Sequence, residues 1–126
     1  MIVADTHAII WWLLSPEQLS TRVREIFDRT IVGVTATSCY EIARLIVRKR
    51  VEIDVDPHQW LENLFVLPRV SFLPLTLDVA STAAKLPGLI NDPADRLIVA
   101  TALQMRVPLV TKDHKIIAAA VVPTIW

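Results

Sequence analysis

The chain has 126 residues, 53% hydrophobic and 21% charged, with a formal net charge of zero. That length suffices for one buried core. The neutral balance excludes a protein that holds a polyanion through bulk positive charge, so local groups or a metal must do that work. No apolar run reaches the roughly 18 residues of a membrane span. The opening MIVADTHAIIWWLL has the apolarity of a signal peptide but lacks a basic leading region, and Asp5 and His7 interrupt it. A single cysteine, Cys39, excludes an internal disulfide framework and fits a reducing compartment. The expectation is a cytoplasmic protein without membrane association, forming one domain over residues 1–126.

Short apolar runs alternate with helical periodicity along the chain. Met1 to Ala4 reads as a buried strand and Thr6 to Leu14 as a helix directly after it. Ser15-Pro16-Glu17 is a turn or helix start, and Ser20 to Arg29 a second helix with Val23, Ile26 and Phe27 inward. The β-branched run Ile31 to Ala36 predicts a strand, and Thr37 to Arg50 a helix with Ile42, Leu45 and Ile46 on one face. Asp56-Pro57 caps a helix that runs to about Leu67. Val70 to Leu75 is a strand that Pro74 pushes towards an edge. Leu77 to Leu86 is a helix stopped by Pro87-Gly88, and Asp92-Pro93 opens another that runs to about Met105. Val107 to Thr111 is a strand, Lys115 to Ala119 a short helix, and Val121 to Trp126 a last strand. This alternation implies an α/β fold, a three-layer α/β/α domain with a central, mostly parallel sheet of four to five strands. Ligands of such sheets bind beyond the carboxyl ends of the strands.

Acids stand at that rim. Asp5 follows the first strand directly, and Asp113 follows VPLVT after one residue. Glu41 lies one turn into the helix after the second strand, and Asp95 in the first turn of the helix before the fourth. Packed carboxylates repel and rise in pKa unless a cation sits among them. A hard divalent ion, Mg²⁺ or Mn²⁺, resolves this with oxygen ligands and water. Each acid also has a plainer reading. Asp5 caps the next helix. Ser38-Cys39-Tyr40-Glu41 matches a Ser-x-x-Glu capping box. Asp113 starts a turn. Asp92 is an N-cap before Pro93, with Asp95 favoured by the helix dipole.

Three segments carry a family likeness: VADTHAIIWWLL, SCYEIARLIVRKR and DPADRLIVATALQMRVPLVTKD. In this order they resemble the PIN-domain ribonucleases, and most closely the VapC-type toxins of bacterial toxin–antitoxin pairs. The most specific part is D-x-x-D-R-L-x-x-A-T-A, then a strand, then T-x-D. The family usually has Trp where Tyr40 stands and often glycine at Arg50; neither departure touches an acid. The resemblance implies a PIN-like fold that cuts RNA with Mg²⁺ or Mn²⁺. It implies Asp5, Asp95 and Asp113 as metal ligands, Glu41 as a further catalytic acid, and Asp92 as an additional acid. Asp95 stands eighteen residues before Asp113, the family's commonest spacing. Thr6, Ser38 and Thr111 match hydroxyls that support the site.

Around these acids, Arg44, Arg48, Lys49, Arg50 and Lys112 are candidates for RNA binding, against the plainer reading of a solvated helix end. Arg96, next to Asp95, is expected to pair with a carboxylate instead of reaching RNA. Cys39 is a bystander, and His7 either touches substrate or is tolerated at the rim. Ile9 to Leu14 is apolar on every face, so one of Trp11 and Trp12 is expected at an interface. By resemblance the partners are a second copy of the chain, in a homodimer, and a cognate antitoxin protein. Three other readings compete: a housekeeping nuclease without antitoxin, a metal-dead binding module, and a phosphoacceptor signalling domain. The module requires a missing acid, and none is missing. The signalling domain requires an acid after the third strand, where Val70 to Thr76 has none.

Overall fold

The apolar runs become strands β1 (Ile2–Ala4), β2 (Val32–Thr35), β3 (Val70–Leu73), β4 (Leu109–Val110) and β5 (Thr124–Ile125) in the computed structural model, which describes residues 1–126. They form one sheet in the order β3-β2-β1-β4-β5, and every pairing is parallel. The expected α/β/α architecture is present, with a sheet parallel throughout. β1 and β2 are buried along their whole length, as strands covered on both faces must be.

Side chains alternate between two cores. Ile2, Ala4, Val32 and Val34 face α1 (Thr6–Leu14), α2 (Thr21–Arg29), α3 (Ala36–Val47) and α4 (Pro57–Val66), which contribute Ile9, Val23, Ile42 and Leu64. Val3 and Leu109 face α5 (Leu77–Ala84), α6 (Pro93–Met105) and α7 (His114–Ala119), which contribute Val79, Ile98 and Ile116. Gly33 lies on this second side. A Cβ there would stand 2.6 Å from Leu73 Cδ1, so glycine admits the Leu73 side chain. No helix is long and apolar enough to cross a membrane.

Several boundaries differ from expectation for local reasons. β3 stops at Leu73, before Pro74, and is an edge strand, where a proline is tolerated. The last two strands shorten to two residues each. The carbonyls of Pro108 and Pro123 accept from Val3 and Leu109, but neither proline has an N–H with which to lengthen the ladder. α3 begins at Ala36 and ends at Val47, and Lys49 turns left-handed with φ 53° just beyond it.

From β1 the chain builds outward to β2 and β3, then returns to place β4 on the opposite side of β1. The carboxyl ends of β1 and β4 therefore flank the point where strand order reverses. In open parallel sheets this crevice is where ligands bind.

Candidate active site

Asp5 leaves β1 at this crevice. One carboxylate oxygen accepts the Thr6 N–H at 2.7 Å, which caps α1, and the other accepts the Thr111 hydroxyl at 2.8 Å. The capping expected of Asp5 is thus real, and it holds the carboxylate at the rim.

Glu41 behaves differently from its capping-box reading. Thr35 is the N-cap of α3 and accepts the Ser38 N–H at 3.0 Å, so Ser38 is already inside the helix and no box forms. Glu41 instead accepts the Thr6 hydroxyl at 2.6 Å. Ser38 links the same hydroxyl, at 2.9 Å, to that of Thr35, at 3.2 Å. These buried hydroxyls join the ends of β1 and β2 and orient one acid.

Asp92 is the N-cap of α6, as expected, and accepts the Asp95 N–H at 3.1 Å, with Pro93 in the first turn. Asp113 caps α7 by accepting the N–H groups of Lys115 at 2.9 Å and Ile116 at 3.0 Å, while its own N–H donates to the Thr111 hydroxyl. Asp5, Glu41, Asp92, Asp95 and Asp113 line one cavity of about 570 Å³.

Crowding shows in their acidities. Burial raises the Asp5 carboxyl above the usual aspartate value, against the lowering effect of Thr111 and Thr6. Burial also raises Glu41, opposed by its bond from Thr6 and reinforced by the charges of Asp5 and Asp92. Asp95 is pushed up to about 7, by burial first and then by the charges of Asp5, Asp92, Asp113 and Glu41. No hydrogen bond offsets this.

Such a donor set suits a hard cation, which would offset the repulsion. No three of these side chains stand close enough to bind one ion directly. The fit is therefore to an ion that keeps several waters and takes one or two carboxylates, as Mg²⁺ does. Cys39 contributes nothing here. Its thiol is raised to about 11 by burial, and it lines a separate apolar cavity with Phe65 and Phe72.

The basic candidates divide. Arg44, Arg48 and Arg50 line a second cavity of about 360 Å³ that shares His7 and Glu41 with the acidic one. None of them forms an ion pair; the pair present, His58 with Glu62 at 3.3 Å, lies elsewhere. Lys49 turns away to a different cavity beside Ile53 and Asp56. Lys112 lines the acidic cavity.

Arg96 neither pairs with a carboxylate nor faces the cavities. Its guanidinium donates to the carbonyls of Ala83, Ala84, Leu86, Pro87 and Ile90 at 2.7–3.3 Å. It thereby ties the end of α5 and the following loop to the first turns of α6, next to Asp95. Sequence reasoning looked for a charge partner and missed this, because carbonyl acceptors have no residue type.

The two tryptophans also part ways. Trp12 packs on Phe27 at 4.9 Å in the first core. Trp11 meets Trp126 at 5.7 Å, and both line the acidic cavity. The signal for them lay in the strand-end rule: Trp126 follows the last strand, and Trp11 lies one helical turn past His7.

The chain belongs to the PIN domain family, whose model matches residues 2–122. Within that class it is 34% identical over 117 residues to Ribonuclease VapC22 of Mycobacterium tuberculosis, covering 91% of this chain and 88% of that protein. Its fold is similar to the crystal structure of FitAcB from Neisseria gonorrhoeae, with a TM-score of 0.72, 24% identity, and coverage of 100% of this chain and 97% of that one. It is similar too to a toxin–antitoxin complex from Klebsiella pneumoniae, with a TM-score of 0.68, 15% identity, and coverage of 100% and 97%.

Proposed function

We propose that residues 1–126 form one nuclease domain, a divalent-metal-dependent endoribonuclease that acts as the toxin of a toxin–antitoxin pair. The observation that carries this reading is the charge at the strand-order reversal: five carboxylates share one cavity, and the other four help push Asp95 to about 7. Kinship with a protein named a ribonuclease supports RNA as the substrate. The fold shared with a toxin–antitoxin complex supports an antitoxin as partner.

Asp5, Asp95 and Asp113 would hold Mg²⁺ or Mn²⁺, directly or through its waters, and Glu41 would hold a metal water. Bound there, a hard divalent ion lowers the pKa of a water and offsets charge on the phosphodiester. The chain supplies the geometry. Thr111 and Thr6 fix the orientations of Asp5 and Glu41, and Ser38 steadies Thr6. Asp92 fixes the first turn of α6, from which Asp95 reaches the cavity. Arg44, Arg48 and Arg50 on one flank and Lys112 on the other meet phosphates that lead away from the acids. Exposed Val66, Phe72, Leu75 and Leu77, across α4, β3 and α5, offer apolar surface for a second copy or an antitoxin. Light scattering of the purified chain would read the dimer.

The direct test is RNA cleavage by purified protein with and without chelator. Cleavage should require Mg²⁺ or Mn²⁺ and stop on chelation. Cleavage unaffected by chelator would overturn the metal reading. For the partner, the small protein encoded just upstream should co-purify with the chain and inhibit it. A chain that cleaves RNA but has no such neighbour would be a housekeeping nuclease.

A further inference from the structure

We propose that Trp11, Trp126 and Lys112 form a nucleobase-stacking subsite beside the acidic cavity, which takes one unpaired base of the RNA next to the cleaved phosphodiester. The inference rests on the ribonuclease reading above and adds what holds the substrate. Trp11 comes from α1 and Trp126 from the segment after β5, two elements brought together only by the order of the sheet. Their rings meet edge to face, 5.7 Å apart at 71°, and make a corner in the wall of the cavity that holds Asp5 and Asp95. Both rings remain partly exposed at the cavity, and neighbouring Trp12, on another face of α1, packs on Phe27 instead. Each ring packs on the first core on one side and lines the acidic cavity on the other.

The cation completes the chemistry. Lys112 Nζ lies 6.0 Å from the Trp11 ring and 5.7 Å from the Trp126 ring, and it forms no ion pair. The distances are at the outer limit of a cation–π interaction, so the ammonium remains free for a phosphate. An aromatic face with an adjacent unpaired cation is how single-stranded nucleic acid is held without regard to sequence: bases stack on the rings and the backbone follows the charge. The same ammonium disfavours a cationic side chain in this corner. The floor of carboxylates disfavours an anionic one. A flat neutral base meets both conditions, and its phosphate is acceptable where it faces the Lys112 ammonium and not the carboxylates. The subsite also requires an unpaired base, because a stacked duplex offers no free face. Single-stranded segments should therefore be cut in preference to paired ones.

The test is binding in chelator, where no cleavage occurs, with oligoadenylate of about ten nucleotides as probe and intrinsic tryptophan fluorescence as readout. Oligoadenylate should quench the wild-type fluorescence. Trp126→Ala should weaken binding about tenfold, the loss of one stacked base, while Trp126→Phe keeps most of the affinity. Trp11→Ala should act in the same direction. Trp11 and Trp126 both pack against the first core, so either alanine variant counts only if its melting temperature is unchanged; otherwise Trp126→Leu, which keeps apolar bulk without an aromatic face, takes its place and should weaken binding in the same way. An oligomer of the same length made of abasic ribose phosphates should bind wild type and Trp126→Ala equally. If oligoadenylate binds both proteins equally while RNA is still cleaved with metal, the subsite is overturned and the ribonuclease reading stands. If the wild-type chain neither binds oligoadenylate nor cleaves RNA, both fall. If Trp126→Ala loses affinity for the antitoxin and not for oligoadenylate, the corner belongs to a protein partner and the proposal is overturned.

Discussion

The two sides of the acidic cavity tolerate buried charge in opposite ways. On the side of α1 and α3, Asp5 and Glu41 are held by hydroxyls and an N–H: Thr111 and Thr6 for the first, Thr6 for the second. On the side of α6, Asp95 accepts no compensating bond and stands at about 7. A carboxylate bonded by the protein is held in one orientation. One that is crowded and unbonded takes up a proton more readily. The site thus combines a half fixed by hydrogen bonds with a half that is crowded and unbonded.

The largest effect should come from breaking each half in turn. Asp5→Asn and Asp95→Asn should each lower metal-dependent RNA cleavage by about a hundredfold or more. Their stabilities should diverge. Asp5→Asn disturbs the bonds to Thr6 and Thr111 and should cost roughly 1–3 kcal/mol. Asp95→Asn removes a crowded charge and should raise the melting temperature of metal-free protein at pH 8. Equal thermal shifts of the two variants would dissolve the contrast, and full cleavage by either would remove that residue from the site.

Next in size is the support behind Asp95. Arg96→Met removes the guanidinium from five carbonyls, of which Ala83 and Pro87 keep a backbone donor. It should cost about 3 kcal/mol or more in a denaturant melt. Arg96→Lys should recover little, because an ammonium cannot span the acceptors that a planar guanidinium reaches. A near-neutral Arg96→Met would mean that α6 holds its first turn unaided.

A third prediction concerns pH. Asp95 stands at about 7 in the folded chain, above its unfolded value of about 4. A carboxyl raised in this way contributes stability that is complete below about pH 4 and lost as pH rises through about 7. Asp5 and Glu41 are raised as well and act with the same sign. Metal-free protein should therefore melt lower at pH 8 than at pH 5, and added Mg²⁺ should raise the melting temperature more at pH 8. Melts in chelator that rise from pH 5 to pH 8 would contradict the crowding. The smallest effect is expected at the rim: Arg48→Ala with Arg50→Ala should reduce the salt slope of RNA binding by about 0.7 for each phosphate that these arginines neutralise. An unchanged slope would remove them from the RNA path.

Much of the frame was legible because it is local. Asp92-Pro93 announced a helix start, and the acids after β1 and β4 could be placed by counting from the strands. The errors were local too. The Ser-x-x-Glu pattern at Ser38 suggested a cap that Thr35, three residues earlier, already supplies. The basic residues from Arg44 to Arg50 are contiguous enough to suggest one cluster, but the left-handed turn at Lys49 divides them.

The alternation of strand and helix, most of the caps, and the acids at a common rim follow from near neighbours and periodicity along the chain. What those acids touch follows from the packed fold. The Thr111 hydroxyl reaches Asp5 across 106 residues, and Thr6 reaches Glu41 across 35. Arg96 found backbone carbonyls, and Trp11 found Trp126. Such pairings depend on strand order and on distances through space, and spacing along the chain encodes neither.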